Sequence, residues 1–281
     1  MYSANFDYVR AESIDQAVEL LSTHPHARLL AGGHSLIPAL KFRLENPELL
    51  IDIGRLEDLK GITSTTSRVN IGALTTHAEI AASDALPAGL RDAASMVGDP
   101  QVRNWGTIGG NISHADPASD LPTILVALGA KIMLTDMKGS RIVPAASFFE
   151  GFFETAKNKD ELVLSIEVPN TGISAYEKMP NPASGYCMVG AGVMLKVENG
   201  VCSSASVAVG GLTPGPRRCP SVEAALVGKA LDADTLSAAA KAVENDLGDD
   251  LLGDMHASEE YRKAMASVYM KRALMKAAAR A

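Results

Sequence analysis

The sequence predicts an α+β protein whose helices gather towards the end of the chain. Three observations lead to this prediction. The first 57 or so residues alternate helix and strand signals, the middle of the chain is rich in β-forming runs joined by turns, and an Ala-rich helical tract follows Pro214 and Pro216. With 281 residues, of which 47% are hydrophobic and 21% charged, the chain is long enough for one large or two ordinary folded domains.

The amino-terminal segment is predicted to form a small parallel unit. Ser13 is suited to cap a helix over residues 14–22, because its hydroxyl can accept from the free amides of the first turn and the apolar residues share one face. A strand is predicted over 28–31, a second helix over 36–44 and a buried strand over 49–53. Strand, helix and strand in this order predict that the two strands pair in parallel.

The middle segment is predicted to contain two antiparallel hairpins, because runs rich in Ile, Val and Thr are joined there by short turns. The first hairpin joins residues 61–66 to 68–74, and the second joins 131–136 to 140–143. Three helices and a strand complete this segment, at residues 76–82, 88–97, 121–128 and 161–168.

Three Pro-Asn or Asn-Pro steps and two glycines lie in or directly beside residues 170–185. These residues interrupt regular secondary structure, which favours a domain boundary there. Beyond it, residues 187–197 and 201–210 form a predicted hairpin around Asn199-Gly200, since Asn-Gly between β-rich runs is a strong hairpin signal. The helices of the Ala-rich tract are predicted at residues 222–227, 234–244 and 258–279.

Composition and charge exclude several classes of function. The formal charge is −7, from 26 basic and 33 acidic residues, so the basic face that neutralises nucleic-acid phosphates is missing. The three cysteines, Cys187, Cys202 and Cys219, are scattered, so free thiols are expected and a disulfide framework, a zinc site or an iron–sulfur site is not. No signal peptide is apparent, and the most apolar stretch, 121–130, is about half a membrane span. We expect a cytoplasmic protein without a transmembrane segment.

Two glycine-rich segments are candidates for ligand binding. In the first, Ala31-Gly32-Gly33-His34-Ser35, adjacent glycines allow positive φ and leave backbone amides free to cradle a phosphate; an ordinary tight turn is the alternative. The second, Thr107-Ile108-Gly109-Gly110-Asn111, is predicted to be a turn that leads through a polar loop into the helix after Asp120. Neither segment matches the Rossmann or P-loop pattern. Their separation, 76 residues from Gly33 to Gly109, favours a ligand with a long polyphosphate spine.

Three stretches together resemble the FAD-binding subunit of the molybdenum hydroxylases: LLAGGHSLIPALKFRL…LLIDIGRL, VRNWGTIGGNISHADPASDLPTILVALGA and ELVLSIEVP. Within that family the chain is most similar to the medium subunit of aerobic carbon monoxide dehydrogenase, and it is also similar to the flavin segment of xanthine dehydrogenase and aldehyde oxidase. The order and separation of AGGHS and TIGGN make the resemblance specific. It implies a vanillyl-alcohol-oxidase/MurB-like fold, in which a two-lobed α/β FAD-binding domain (lobes of about 1–57 and 58–176) precedes a C-terminal domain, 177–281, of antiparallel sheet plus helices.

The resemblance also implies which residues hold FAD. The backbone amides of AGGHS would wrap the pyrophosphate, and TIGGN would complete this cradle. Asp120 would accept from a sugar or ribityl hydroxyl, with a simple helix cap as the alternative. The implied cofactor-binding residues are Leu29, Ala31, Gly32, Gly33, His34, Ser35, Thr107, Gly109, Gly110, Asn111, Asp120, Val163 and Lys178. His114, in the second loop, is a further candidate that could hydrogen-bond FAD or cap a turn.

Two further residues have open roles. His34 matches the position that carries a covalent flavin in distantly related oxidases, but the resemblance implies non-covalent FAD. Tyr186 could stack over the flavin ring or make an ordinary hydrophobic contact. The histidines at 24, 26, 77 and 256 are expected to be surface or structural residues, and no histidine, cysteine or carboxylate cluster has metal-ligand spacing.

The function implied by the resemblance is that of an oxidoreductase subunit for electron transfer. Electrons would leave a molybdopterin centre in a large partner, pass through [2Fe-2S] clusters in a small partner, and reach FAD and then an external acceptor; the assembly would be a dimer of heterotrimers. No catalytic side chain on this chain is needed, because the cofactor carries the redox chemistry. The alternatives are a stand-alone FAD-dependent oxidase or reductase of the same fold, and a non-catalytic nucleotide-binding or scaffold module.

Overall fold

A computed structural model describes residues 2–281, and its amino-terminal part is a three-stranded parallel sheet with two helices. The elements are β1 (Asp7–Arg10), α1 (Ile14–Thr23), β2 (Ala27–Leu30), α2 (Leu36–Lys41) and β3 (Leu49–Asp52). The strand order is β1-β3-β2, which confirms the predicted parallel pairing of β2 with β3.

Local chemistry explains where the two helices of this sheet begin and end. The Ser13 side chain accepts from the Gln16 amide at 3.1 Å and caps α1, as predicted. The second helix ends at Lys41, three residues before the predicted end, because Arg43 takes a left-handed φ of 59° that no α-helix continues. The strand β1 is not predicted by the sequence.

The middle of the chain folds around a five-stranded antiparallel sheet of order β4-β5-β10-β6-β7, with a small β8-β9 hairpin beside it. Both predicted hairpins are confirmed, as β4 with β5 and as β6 with β7. The elements are β4 (Ile62–Ser64), β5 (Arg68–Gly72), α3 (His77–Ala82), α4 (Ala88–Met96), α5 (Pro100–Trp105), α6 (Ile108–His114), α7 (Leu121–Ala127), β6 (Lys131–Asp136), β7 (Gly139–Pro144), β8 (Phe149–Gly151), β9 (Glu154–Thr155) and β10 (Leu162–Pro169).

The last part of the chain is a four-stranded antiparallel sheet covered by helices. Asn199 and Gly200 have φ of 53° and 78°, the left-handed pair that a tight hairpin turn requires, and the predicted hairpin is confirmed. The elements are β11 (Ile173–Pro180), β12 (Cys187–Glu198), β13 (Val201–Gly210), β14 (Arg217–Arg218), α8 (Pro220–Leu226), α9 (Ala233–Lys241) and α10 (Glu259–Ala278).

The strand β11 lies where the sequence predicts a break. It occupies half of residues 170–185 and pairs with β12 over its whole length, so the break is confined to its two ends. Its burial explains its formation, because Ala175 and Tyr176 have no exposed surface. The division of domains between residues 176 and 177 stays a prediction.

Two basic side chains near the end of the chain connect α10 to the rest of the molecule. Arg280 makes a bidentate ion pair with Asp92 of α4, at 2.7 and 2.9 Å, and also donates to the Ser174 carbonyl. Lys276 donates to Glu177 at 2.8 Å and lies 3.4 Å from Asp92. The end of α10 and the middle of the chain therefore meet through charged contacts at Asp92.

Candidate functional site

The first glycine-rich segment links β2 to α2 and presents a row of free backbone donors. Gly33 has a φ of 73°, a left-handed conformation that turns the chain sharply before the helix. Within residues 2–281, the amides of Gly32, Gly33, His34 and Ser35 donate to no protein acceptor. Successive free N–H groups beside a left-handed residue form a concave nest that favours anions. The predicted phosphate cradle is therefore geometrically available at this segment.

The side chain of His34 is fixed within the same segment. Its Nδ1 lies 2.9 Å from the Gly32 carbonyl oxygen, and because a carbonyl can only accept, Nδ1 carries the proton in this contact. His34 is exposed.

The second glycine-rich segment is a helix, and the prediction of a turn there is wrong. Thr107 caps α6 by accepting from the Gly110 amide at 3.3 Å, and Gly109 lies inside the first helical turn. Gly109 is needed for close packing, because a Cβ there would lie 2.6 Å from the Cβ of Ala73. The amides of Ile108 and Gly109 already donate to backbone carbonyls, so the free donors lie on the first segment.

The two segments lie against each other. A Cβ on Gly32 would meet the Trp105 carbonyl oxygen at 2.0 Å and the Gly106 Cα at 3.1 Å, so only glycine permits this approach. On the other side, the Ala31 Cβ lies 4.0 Å from the place where a Cβ of Gly110 would be. The structure thus brings together the two motifs that the sequence places 76 residues apart.

His77 lies behind this contact and was not predicted to take part in the site. Its ring packs on Gly106, where a Cβ would meet its Cδ2 at 2.8 Å, and its Nδ1 has no hydrogen-bond partner within residues 2–281. Burial lowers the pKa of His77 to about 4, and electrostatic repulsion from the neighbouring His34 and Arg103 acts in the same direction. The imidazole is therefore neutral at pH 7. The signal that draws attention to His77 is its buried Nδ1 without a hydrogen-bond partner, and this signal is visible only in the structure.

The neutral buried state of His77 predicts a loss of stability in acid. An unfolded histidine takes up a proton below its ordinary pKa of 6.5, whereas the folded one stays neutral down to about 4. Acidification from pH 6.5 towards 4 therefore favours the unfolded chain, by about 2 kcal/mol at pH 5 from this group. Urea unfolding at pH 7.5 and pH 5 measures the effect. The free energy of unfolding of His77→Gln should differ less between the two pH values than that of the wild type. An equal difference would contradict the assignment of His77 as a buried neutral histidine.

Asp120 is the centre of a buried polar cluster. Its Oδ2 accepts from the Lys178 ammonium at 2.9 Å, and its Oδ1 accepts from the Tyr176 hydroxyl at 2.9 Å. Lys178 also donates to the carbonyls of Met96 at 2.9 Å and Gly185 at 2.7 Å, so all three of its protons are used. The cluster joins the ends of α4, α7 and β11 and fixes the loop after β11.

The geometry excludes one of the two predicted roles of Asp120. The residue precedes α7, but its side chain caps no amide of that helix. Burial raises the pKa of the Asp120 carboxyl, while the Lys178 ammonium and the hydrogen bonds from Lys178 and Tyr176 act in the opposite direction. The helix-cap interpretation is therefore wrong, and the contact of Asp120 with a cofactor hydroxyl stays a prediction.

The remaining predicted residues lie in varied surroundings. Ser35 precedes α2 without capping it, and Asn111 accepts from the Ser119 hydroxyl at 2.8 Å. Leu29 is half-buried in β2, and Val163 is buried at a bulge in β10. The assignment of all these residues to a cofactor stays a prediction.

Aromatic side chains surround the far end of α6. The His114 ring contacts Phe153 with 5.0 Å between centroids, and Phe153 contacts Phe152 edge to face at 4.8 Å. Tyr186 is 56% exposed, at the end of the loop that Lys178 fixes, so it is available for contact with a ligand and does not fill the core. Its stacking on a flavin stays a prediction.

Within residues 2–281 no helix combines the length and apolar character needed to cross a bilayer. In the same range no group of histidine, cysteine and carboxylate side chains could hold a metal ion. The three cysteines are free and buried, as the sequence predicts.

Two family models together match nearly the whole chain. The model described as the FAD binding domain in molybdopterin dehydrogenase matches residues 4–171, and the model described as the CO dehydrogenase flavoprotein C-terminal domain matches residues 174–277.

Individual relatives match over their full lengths. The chain is 38% identical to the glyceraldehyde dehydrogenase medium chain of Sulfolobus acidocaldarius, covering 99% of this chain and 100% of the relative. It is 40% identical to the carbon monoxide dehydrogenase medium chain of Afipia carboxidovorans, covering 100% and 99%. Among solved structures, a chain of carbon monoxide dehydrogenase from Hydrogenophaga pseudoflava superposes with a TM-score of 0.94 at 38% identity, covering 100% of this chain and 99% of that one.

Proposed function

Because the chain belongs to the family of FAD-binding domains of molybdopterin dehydrogenases, we propose that it is the FAD-binding electron-transfer subunit of a multi-subunit molybdenum hydroxylase. The observation that carries this proposal is the row of four free amides, Gly32 to Ser35, facing a closely packed second segment. Such donors are suited to a diphosphate, and all four are available to one because no protein acceptor uses them. The residues present therefore fit FAD.

The roles of this chain's residues follow from their contacts. The amides of Gly32, Gly33, His34 and Ser35 would donate to the pyrophosphate, and Asp120 would accept from a hydroxyl of the cofactor with the lone pairs that Tyr176 and Lys178 leave free. Bound FAD supplies the transfer of electrons between iron–sulfur clusters and an external acceptor. The chain itself binds, orients and shields; it donates no proton from a catalytic side chain.

The proposal includes partners. Three relatives that match over nearly their full length are named medium chains or a medium subunit, which supports a subunit over the alternative of a stand-alone oxidase. We propose a large molybdopterin subunit and a small subunit with [2Fe-2S] clusters, assembled as a dimer of heterotrimers in the cytoplasm. The three buried free thiols of this chain support the location of the clusters on a partner.

FAD is proposed to bind without a covalent bond. Denaturation of the yellow protein should release all flavin into the supernatant, and flavin that stays on the polypeptide would place a covalent link at His34. His34→Ala then distinguishes the two cases, because it abolishes a covalent link but leaves the four backbone donors in place.

The test of the function uses the full chain, alone and expressed with its proposed partners. We expect the purified chain to bind one FAD, detected as quenching of flavin fluorescence and as visible absorption bands, and to copurify with a large molybdopterin subunit and a small iron–sulfur subunit. A chain that takes up no FAD and copurifies with neither partner would overturn the proposal.

A further inference from the structure

Tyr176 is a buried tyrosine whose hydroxyl reaches the predicted cofactor site from the C-terminal sheet. It lies in β11 with no exposed surface, and its hydroxyl lies 2.9 Å from Asp120 Oδ1. Its backbone is held on both sides, because its amide donates to Asp92 at 3.3 Å and its carbonyl accepts from Lys276 at 3.2 Å. The position of the ring is therefore fixed independently of its hydroxyl.

The Tyr176 hydroxyl has two neighbours that could accept its one proton, Asp120 and Cys187. The Cys187 Sγ lies 3.4 Å from the Tyr176 oxygen, and burial raises the pKa of this thiol to about 12, so it keeps its proton. A hydroxyl has one proton to give, and the carboxylate of Asp120 is the stronger acceptor. The thiol therefore donates to the Tyr176 oxygen, and the hydroxyl donates to Asp120.

Gly190 leaves the space that the Tyr176 hydroxyl and the Cys187 thiol occupy. A Cβ on Gly190 would lie 2.5 Å from the Tyr176 hydroxyl oxygen and 2.8 Å from the Cys187 sulfur. Any side chain at position 190 would displace both groups. The ring and the thiol are thus accommodated at a position where β12 otherwise carries buried side chains.

The two donors fix both oxygens of the Asp120 carboxylate. Lys178 binds Oδ2 and is itself held by two carbonyls, while Tyr176 binds Oδ1. Each carboxylate oxygen can accept a second hydrogen bond, and Asp120 is 4% exposed.

We propose that Tyr176 is a positioning residue for FAD: its hydroxyl, which also lies beside the Cys187 thiol, holds Asp120 in the rotamer that accepts from the cofactor. The inference rests on the proposed function. Tyr176 touches no cofactor itself; it acts through Asp120, from a different domain of the family's two-domain pattern.

The test compares Tyr176→Phe with the wild-type full chain. The variant keeps the ring and loses only the hydroxyl, so we expect about tenfold weaker FAD binding, measured by quenching of flavin fluorescence, because one hydrogen bond to a charged group is lost. We also expect a changed flavin absorption spectrum and a changed midpoint potential in the FAD that does bind. A purely structural role would move neither of these two readouts.

Three further variants sharpen the result. Asp120→Asn should weaken FAD binding at least as much as Tyr176→Phe, and the double variant should add little to Asp120→Asn. Cys187→Ser keeps a donor to the Tyr176 oxygen and should bind FAD more tightly than Cys187→Ala. Tyr261→Phe, in which the same atom is removed from a half-exposed tyrosine of α10, is the matched control and should behave as wild type.

The outcomes separate this inference from the function on which it rests. If the wild type binds FAD and Asp120→Asn weakens binding while Tyr176→Phe does not, the positioning role is overturned and the function stands. Equal effects of Tyr176→Phe and Asp120→Asn on FAD affinity, in chains that circular dichroism shows to be folded, support it. A wild-type chain that takes up no FAD overturns the function, and this inference with it.

Discussion

Gly32→Ala should reduce FAD affinity by about 100-fold, the largest effect expected from removing or adding one carbon atom in this chain. The added Cβ would lie 2.0 Å from the Trp105 carbonyl oxygen and 2.7 Å from its carbonyl carbon. Both atoms belong to backbone, so no side-chain rotation relieves the overlap. Either the backbone of Trp105 and Gly106 must move away from Gly32, or the four free amide donors must leave the positions in which they would bind the pyrophosphate.

The contacts of Gly106 oppose a movement of its backbone away from Gly32. Its carbonyl accepts from the His77 amide at 3.0 Å, and the His77 ring fills the space where its side chain would be. The overlap is worth about 3 kcal/mol, which corresponds to the expected change in affinity.

Titration of the full chain with FAD, followed by flavin fluorescence, measures the change. Gly215→Ala is the matched control, because a Cβ there meets Phe149 atoms only at 3.7 and 3.8 Å, which is ordinary contact. Gly32→Ala protein that is folded by circular dichroism and binds FAD as tightly as wild type would show that the first segment is not the cradle.

Lys178→Met should lower the free energy of unfolding by about 3–5 kcal/mol. The substitution preserves the volume of the side chain but removes the ammonium, so the Asp120 carboxylate is left buried without its counter-charge. The carbonyls of Met96 and Gly185 also lose their donor. Lys263→Met, at an exposed position of α10, controls for the loss of a lysine and should be close to neutral.

Two measurements identify the unpaired charge as the cause. Adding Asp120→Asn to Lys178→Met should restore part of the lost stability, because a neutral amide needs no counter-ion. The deficit of the single variant should also shrink as the pH falls, since protonation of a carboxyl whose folded pKa is raised favours the folded state. If the loss of unfolding free energy in Lys178→Met changes neither with pH nor on adding Asp120→Asn, its cause is lost packing and not the unpaired charge.

Local sequence signals predicted the parts of the fold that depend on local chemistry. The cap at Ser13, the hairpin turn at Asn199-Gly200 and the pairing of β2 with β3 follow from residues that are neighbours in the chain. The strand β1 was missed because its side chains are mostly exposed, so it has no apolar pattern.

The helix α6 was missed for a different reason. Gly109 and Gly110 disfavour a helix by their own propensity, and tertiary contact overrides it, because only glycine fits against Ala73. The two glycine motifs that predict the candidate site are nevertheless brought into contact by the structure, and the location of the site stays a prediction.

The polar cluster could not be predicted from periodicity or spacing. Tyr176 and Asp120 are 56 residues apart, and Tyr176 lies in a segment that the sequence analysis interpreted as a break. Asp120 and Lys178 came from the family resemblance alone, and the resemblance gave no reason to pair them with Tyr176 or Cys187. These contacts form where α4, α7 and β11 meet in the fold. No local pattern in a single sequence indicates that these three elements meet.

The ion pair between Arg280 and Asp92 has a consequence for the order of events during synthesis. The ribosome releases Asp92 long before Arg280, and at 5–20 residues per second a gap of 188 residues lasts from about 10 to 40 s. Throughout that interval the Asp92 carboxylate lacks its guanidinium partner, although β11 is synthesised before half of the interval has passed. The ion pair can therefore form only after the residues of β11 and of the helices that cover the C-terminal sheet have been synthesised.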